Sequence, residues 1–320
     1  MKAGRIFLVV GGVWLSTFAA VGQTEKQEPA AHGAPDTSGA PGHIVDLNVL
    51  VVDREKHPVA GVDGAAVQVL DDGVSRTIES VTGTDGPISL CLVVDQSGST
   101  KSMRQPISDA AVALVKRLPA GSEVMMVHFA DEAFLDVPFT PVSSVDWSKV
   151  RLMESRGGTA LYDALVAAEK FMLAYAHEKR RALVIISDGG DNASKLSLEQ
   201  AARRLAWPGG APLIYALRFS DGDEFPSESY HEERTLKTLT KAGGGVTLVA
   251  GNAKEMASKT EEISAMIGSQ VVISFTSPDT ENPGRFHKLD VRRPQGAKGE
   301  EIYAMPGFFA LKPAAMPEAK

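Results

Sequence analysis

The chain has 320 residues, a formal net charge of −7 at pH 7 and 43% hydrophobic residues. This length and composition are typical of a globular protein with one large α/β domain and a smaller one. The acidic balance, without a basic stripe, argues against general nucleic-acid binding.

The N-terminus has the pattern of an export signal over residues 1–22. Lys2 and Arg5 precede an apolar core at residues 6–20, and small residues follow at 20–22. The apolar core is short for an uncleaved membrane anchor, which is the alternative. We therefore expect an exported protein, periplasmic or extracellular, without a membrane span after cleavage of the signal.

Residues 23–42 are rich in Ala, Pro, Gly and Gln, which predicts a disordered linker. A β segment is predicted over residues 43–86. Its strands are expected at 44–52, 65–70 and 75–81, because these stretches are rich in β-branched residues and bounded by turn residues.

Strands and helices alternate over residues 87–268. Strands are predicted at 88–94, 123–129, 133–137, 181–186, 212–219 and 246–250, the third being an edge strand that stops before Pro138. The helices between them are predicted from Pro106, from Leu161, and at 198–205, 231–242 and 253–267. This alternation predicts a doubly wound, mostly parallel, Rossmann-like α/β sheet. The single cysteine, Cys91, lies inside an apolar strand and is expected in the core, without a disulfide.

Residues 269–320 return to β character, with strands predicted at 270–277, 286–291, 300–305 and 308–311. No helices are available to cover these strands or those of residues 43–86. We therefore expect the two ends of the chain to pair into one small β subdomain, with the α/β domain inserted between them.

Polar side chains follow three predicted elements, at the carboxyl ends of the strands. Ligands bind at this end of the strands in open α/β sheets. Asp95, Ser97 and Ser99 follow the apolar run 90–94. Thr159 follows two glycines, and Asp188 follows the apolar strand at 181–186. Hydroxyl and carboxylate oxygens suit Mg²⁺, Mn²⁺ or Ca²⁺. Because the hydroxyls are neutral, such a site would leave the cation able to bind a carboxylate of another molecule.

This order of motifs, Asp-x-Ser-x-Ser, Gly-Gly-Thr and Ser-Asp-Gly, resembles the von Willebrand factor type A domain over residues 87–267. The resemblance implies a metal-ion-dependent adhesion site. In such a site Ser97 and Ser99 bind the metal directly, Thr159 binds it directly or through water, and Asp95 and Asp188 hold coordinated waters. A protein partner then supplies an Asp or Glu carboxylate.

Two further acidic residues are expected around these ligands rather than on the metal. Asp163 matches another acidic position of the family, and Asp191 is expected mainly in a turn-capping role. The flanking sequences, including LDDG at 70–73 and PGFFA at 306–310, resemble a group of exported bacterial proteins, abundant in acidobacteria, that carry this domain.

We therefore predict a non-catalytic, metal-dependent, adhesion-type binding module. Two other functions are alternatives to this prediction. A Mg²⁺-dependent phosphatase-like hydrolase could use Asp95 as its nucleophile. Such enzymes usually have a second Asp two residues later, where this chain has Ser97. The domain could also be a structural scaffold with a vestigial metal site.

Overall fold

A computed structural model describes residues 43–59, 62, 66–147, 157–206, 210–220, 225–277 and 284–309. The predicted signal peptide and linker, and residues 310–311 of the last predicted strand, lie outside these ranges. Within the described ranges, no helix combines the length and apolar character needed to cross a membrane.

Four strands begin the described chain, namely β1 (His43–Val52), β2 (Gln68–Asp71), β3 (Val74–Arg76) and β4 (Ile78–Thr82). The prediction of one continuous strand over 75–81 is wrong. The strand is interrupted at Thr77, because β3 pairs antiparallel with β2 whereas β4 joins a different sheet.

The centre of the molecule is a six-stranded sheet. Its strands are β5 (Ser89–Asp95), β6 (Glu123–Phe129), β7 (Ala133–Pro141), β8 (Arg181–Ser187), β9 (Leu213–Phe219) and β10 (Thr247–Ala250), in the order β10-β9-β8-β5-β6-β7. All neighbours are parallel except β6 and β7. The predicted doubly wound, mostly parallel sheet is therefore confirmed.

Strand β7 continues to Pro141, so the expected stop before Pro138 is wrong. It is one of the two edge strands of the sheet, and its pairing with β6 shifts register near Val137. Proline is tolerated there because an edge strand needs hydrogen bonds on one side only.

Five α-helices of the described residues cover the two faces of this sheet. They are α1 (Arg104–Lys116), α2 (Leu161–Tyr175), α3 (Leu198–Leu205), α4 (Pro226–Ala242) and α5 (Ala253–Ser269). Side chains alternate along β5, so that Leu92 packs with α1 and α5 while Cys91, a buried free thiol, packs with α2, α3 and α4.

Helix α4 begins at Pro226, five residues before the predicted start at 231. Residues 225–228 and 230–231 are exposed to solvent. The first turns therefore lack the apolar period from which a helix is recognised.

The chain ends in β11 (Val271–Ser277), β12 (Phe286–Arg292), β13 (Glu301–Ala304) and β14 (Gly307–Phe309). These strands pair with the N-terminal ones in two four-stranded sheets, β13-β1-β11-β4 and β14-β12-β2-β3. The two sheets share one hydrophobic core, which includes Leu47, Val69, Phe275, Leu289 and Phe308. The pairing of the two ends of the chain thus produces a sandwich of two sheets beside the α/β domain.

Candidate metal centre

The first site loop begins at the buried carboxylate of Asp95, the last residue of β5. The backbone N–H of Ser97 donates to Oδ1 of Asp95 at 2.9 Å, and the hydroxyl of Ser187 donates to Oδ2 at 2.6 Å. Asp95 is 1% exposed. Both carboxylate oxygens of Asp95 are therefore held by buried hydrogen bonds.

Two hydroxyls and a carboxylate oxygen converge above Asp95. The Oγ atoms of Ser97 and Ser99 are 3.1 Å apart, and Ser99 donates its hydroxyl to Oδ2 of Asp188 at 2.5 Å. Ser99 is exposed, whereas Ser97 and Asp188 are buried. Ser99 and Asp188, 89 positions apart in the chain, thus join the first and third loops in one cluster of oxygen atoms that reaches solvent at Ser99.

The second loop lies beside both of the others. The N–H of Gly98 donates to the carbonyl of Gly157 at 3.4 Å. Thr159 donates its N–H to Oδ1 of Asn192 at 2.8 Å and accepts the N–H of Asn192 at 2.9 Å. Thr159 is thereby held against the third loop and Gly157 against the first, and the role of Thr159 at a metal stays a prediction.

The two glycines before Thr159 are required by close neighbours. Gly157 has φ +88°, and a Cβ on it would lie 2.1 Å from a carboxylate oxygen of Asp131. A Cβ on Gly158 would lie 2.6 Å from Oδ1 of Asn192. A side chain at either position would collide with the carboxylate of Asp131 or the amide of Asn192, which accept the N–H groups of Gly158 and Thr159.

Asp163 and Asp191 fasten helix α2 to the segment that follows the third loop. The carboxylate of Asp163 accepts the N–H groups of Lys195 and Leu196 at 2.9 and 3.1 Å. Asp191 accepts the N–H of Tyr162 at 3.1 Å and the hydroxyl of Ser194 at 2.6 Å. Their contacts therefore support the loops, and their place around a bound metal stays a prediction.

Three residues that support the site in the structure were not among the site residues predicted from the sequence. Ser187 donates to Asp95, Asp131 accepts the N–H of Gly158 at 2.6 Å, and Asn192 accepts the N–H of Thr159. Ser187 stands directly before Asp188, so its position beside the site could have been read from the sequence. Asp131 offers no such signal, because it comes from the turn between β6 and β7.

The electrostatics of the cluster favour a cation. Burial, and then the charge of Asp188, raise the pKa of Asp95 to about 7, while the hydroxyls of Ser187 and Ser97 act in the opposite direction. The carboxylates of Asp95 and Asp188 thus lie close to each other, beside the hydroxyls of Ser97 and Ser99. A hard divalent cation would relieve their repulsion, and the donor set of hydroxyl and carboxylate oxygens fits Mg²⁺, Mn²⁺ or Ca²⁺.

A second group of possible metal ligands lies in the sandwich. Carboxylate oxygens of Asp71 and Asp72 and a ring nitrogen of His287 lie within 4.8 Å of one another. Asp71 already accepts from Arg76 and from His287, at 3.2 and 2.8 Å, and Asp72 accepts from Arg285 at 2.9 Å. These contacts describe an ion-pair network rather than a cation site.

Comparison with known proteins bears on the α/β domain. Residues 90–190 match the sequence model of the von Willebrand factor type A domain family. None of the curated protein sequences matches this chain.

Similar solved structures include a von Willebrand factor type A protein from Catenulispora acidiphila. It is 13% identical, with a TM-score of 0.49, over 87% of this chain and 75% of that chain. The PilB minor pilin from Streptococcus sanguinis, in a D319A mutant, is 14% identical, with a TM-score of 0.48 over 57% and 61% of the two chains. BatB from Bacteroides thetaiotaomicron is 20% identical, with a TM-score of 0.39 over 57% and 100%.

Proposed function

Because this chain contains a von Willebrand factor type A domain, we propose that it is a metal-dependent protein-binding module. The observation that carries the proposal is the convergence of Ser97, Ser99 and Asp188 on one solvent-open point. A divalent cation there would bind a carboxylate of a partner protein, from Asp or Glu.

The residues that would hold the cation are those predicted from the sequence. Ser97 and Ser99 offer hydroxyl oxygens directly, Thr159 directly or through water, and Asp95 and Asp188 through waters. Mg²⁺ is the proposed ion, with Mn²⁺ or Ca²⁺ as alternatives. When bound, the ion supplies positive charge and an exchangeable coordination position.

The surroundings of Asp95 support a binding rather than a catalytic role. A nucleophilic carboxylate needs an oxygen that can reach the substrate. In this chain Oδ1 accepts from Ser97, Oδ2 accepts from Ser187, and the residue is 1% exposed. This arrangement argues against the phosphatase-like alternative, and we propose that the protein is not an enzyme.

We further propose that the protein acts outside the bacterial cytoplasm, in the periplasm or the extracellular space. The support is the charged, apolar and small-residue pattern of residues 1–22. A cation that presents an open position to a partner carboxylate suits adhesion between proteins at such a location.

The test is the thermal midpoint with and without Mg²⁺, Mn²⁺ and Ca²⁺. A cation that binds only the folded protein raises the free energy of unfolding by about 2.7 kcal/mol when its concentration is a hundred times its dissociation constant, and so raises the thermal midpoint. The rise should disappear in Ser99→Ala, Asp95→Ala and Asp188→Ala. It should persist in Asp290→Ala, an exposed carboxylate on β12 paired with Arg292. No rise with any of the three ions at millimolar concentration would contradict metal binding and favour the scaffold alternative.

A further inference from the structure

A buried positive charge, that of Arg218, lies near the candidate metal centre. Three apolar residues pack on one face of the central sheet, in register on β5, β8 and β9, namely Val93, Ile185 and Ala216. Because side chains on one face recur at every second residue, Asp95, Ser187 and Arg218 form the next row on that face. The sheet order β9-β8-β5 therefore places the backbones of Arg218 and Asp95 two strand spacings, about 10 Å, apart.

Glu232, on α4, carries the opposite charge and contacts this buried cation. Nη2 of Arg218 donates to Oε2 of Glu232 at 2.9 Å. The side chain of Arg218 is 1% exposed and that of Glu232 is 23% exposed. Glu232 precedes the buried Leu236 by four residues, so it lies on the face of α4 that covers the sheet. The ion pair is therefore held between a packed strand and a packed helix.

Glu232 also contacts the third site loop, which carries Asp188. A Cβ on Gly189 would lie 2.7 Å from the carbonyl oxygen of Glu232. A Cβ on Gly190 would lie 3.4 Å from Oδ1 of Asp188 and 3.6 Å from Oε1 of Glu232. Because both oxygens lie this close to one point, they are no more than about 7 Å apart. The charges of the ion pair are thus close enough to act on a cation at the site.

We propose that the Arg218–Glu232 ion pair determines the cation affinity of the candidate metal centre, with the charge of Glu232 offsetting that of Arg218. This inference rests on the proposed function, because it concerns a cation held by Ser97, Ser99 and Asp188. Neither member of the pair is proposed as a ligand. A positive charge near a cation site weakens binding and a negative charge strengthens it, so the two members act in opposite directions.

The size of the effect follows from Coulomb's law. In bulk water, a unit charge about 10 Å from a divalent cation changes the affinity for that cation about fourfold. The lower permittivity around a buried group increases this factor. Salt decreases it, because charges are screened over about 10 Å at 0.1 M ionic strength. The effect should therefore be largest at low ionic strength.

The experiment measures the dissociation constant of Mg²⁺ by calorimetric titration, at low ionic strength and one pH, for the parent and three variants. Glu232→Gln keeps the length of the side chain and removes its charge, so it should weaken Mg²⁺ binding at least about fourfold. Arg218→Met removes the buried positive charge and should strengthen binding by a similar factor. The double variant lacks both charges, so its dissociation constant should return to within about twofold of the parent's.

The opposite signs separate an electrostatic role from a structural one. If the pair only held α4 against the site loop, each variant would weaken Mg²⁺ binding. Glu300→Gln is the matched control and should bind as the parent does, because Glu300 pairs with Arg293 at 2.8 Å, between β12 and β13 in the sandwich. Thermal midpoints without metal verify folding. If Arg218→Met does not fold, the salt dependence of Glu232→Gln decides, since only an electrostatic deficit shrinks as NaCl is added.

Two kinds of result would overturn the inference, and they differ in what they leave standing. If Glu232→Gln binds Mg²⁺ as tightly as the parent, or if a folded Arg218→Met binds it no more tightly, the ion pair does not determine the affinity and the proposed function stands. If the parent binds none of Mg²⁺, Mn²⁺ and Ca²⁺ in a manner that needs Asp188, the proposed function itself fails, and the inference fails with it.

Discussion

Glu169 places a carboxyl group among the apolar side chains of α2. It is 3% exposed, and its Oε1 has no hydrogen-bond partner within the described part of the chain. Burial raises the pKa of this carboxyl well above its ordinary value. The folded protein therefore prefers the protonated form, and its stability falls as pH rises through the raised pKa.

We expect Glu169→Met to stabilise the protein, by an amount that grows with pH, because it removes a buried carboxyl that must either stay protonated or carry a charge. Denaturant unfolding at several pH values measures the effect. Glu261→Met, on the exposed side of α5, is the control and should change the free energy of unfolding by no more than about 0.5 kcal/mol. A gain that is the same at every pH would contradict the explanation.

The pKa of Asp95, raised to about 7, predicts opposite effects of pH on stability and on metal binding. Without metal, the folded state favours protonated Asp95, so the free energy of unfolding should fall as pH rises from 3.8 toward 7. Mg²⁺ needs the ionised form, so its affinity should fall by up to about tenfold per pH unit below 7. Calorimetric titration with Mg²⁺ across this range measures the affinity, and an affinity that does not change with pH would contradict the prediction.

At the scale of elements, the turn after α4 depends on a glycine that touches the sandwich. Gly244 has φ +71°, and a Cβ on it would lie 2.1 Å from the carbonyl carbon of Ala304, at the end of β13. Gly73 also has positive φ, +83°, but open space around it. We expect Gly73→Ala to cost about 1 kcal/mol and Gly244→Ala at least about 3 kcal/mol, because only the second also collides with backbone. Denaturant unfolding compares the two, and equal losses would show that conformation alone matters.

At the scale of the whole molecule, a buried polar network joins the sandwich to the central sheet. The amide of Asn48, on β1, accepts from the N–H of Arg181 at 3.0 Å and from Nε2 of Gln270 at 2.8 Å, and it donates to the carbonyl of Ala211 at 3.0 Å. Gln270 also accepts from the hydroxyl of Tyr215 at 3.2 Å. One side chain thus contacts three segments that are far apart in the chain.

We expect Asn48→Leu to lower the free energy of unfolding by about 3 kcal/mol, because it leaves several buried polar groups unpaired at once. Denaturant unfolding provides the measurement. Thr140→Val, which removes an exposed hydrogen bond to the Pro138 carbonyl, should stay within about 0.5 kcal/mol of the parent. A small loss in Asn48→Leu would mean that water replaces the missing partners and that the two parts are only loosely joined.

Much of the architecture follows from local patterns in the sequence. The apolar runs at 90–94 and 181–186 identify buried parallel strands, and the Asp-x-Ser-x-Ser pattern after the first run locates the site loop. Local patterns predicted the wrong bounds for three elements whose extent depends on tertiary contacts. Polar turns begin α4 at Pro226, β7 tolerates Pro138 at the sheet edge, and the stretch 75–81 divides between two sheets.

The sequence by itself determined the type of most elements and the doubly wound class of the central sheet, because apolar runs and apolar periodicity report directly which face of an element is buried. The three loops of the candidate site were predicted from the order of their polar motifs. The tertiary structure decided which groups meet. Asp131 supports Gly158, Ser187 fastens Asp95, and β1 lies between β11 and β13. The physical reason is that each of these contacts joins residues far apart in the chain, so it exists only once strand order and register are settled.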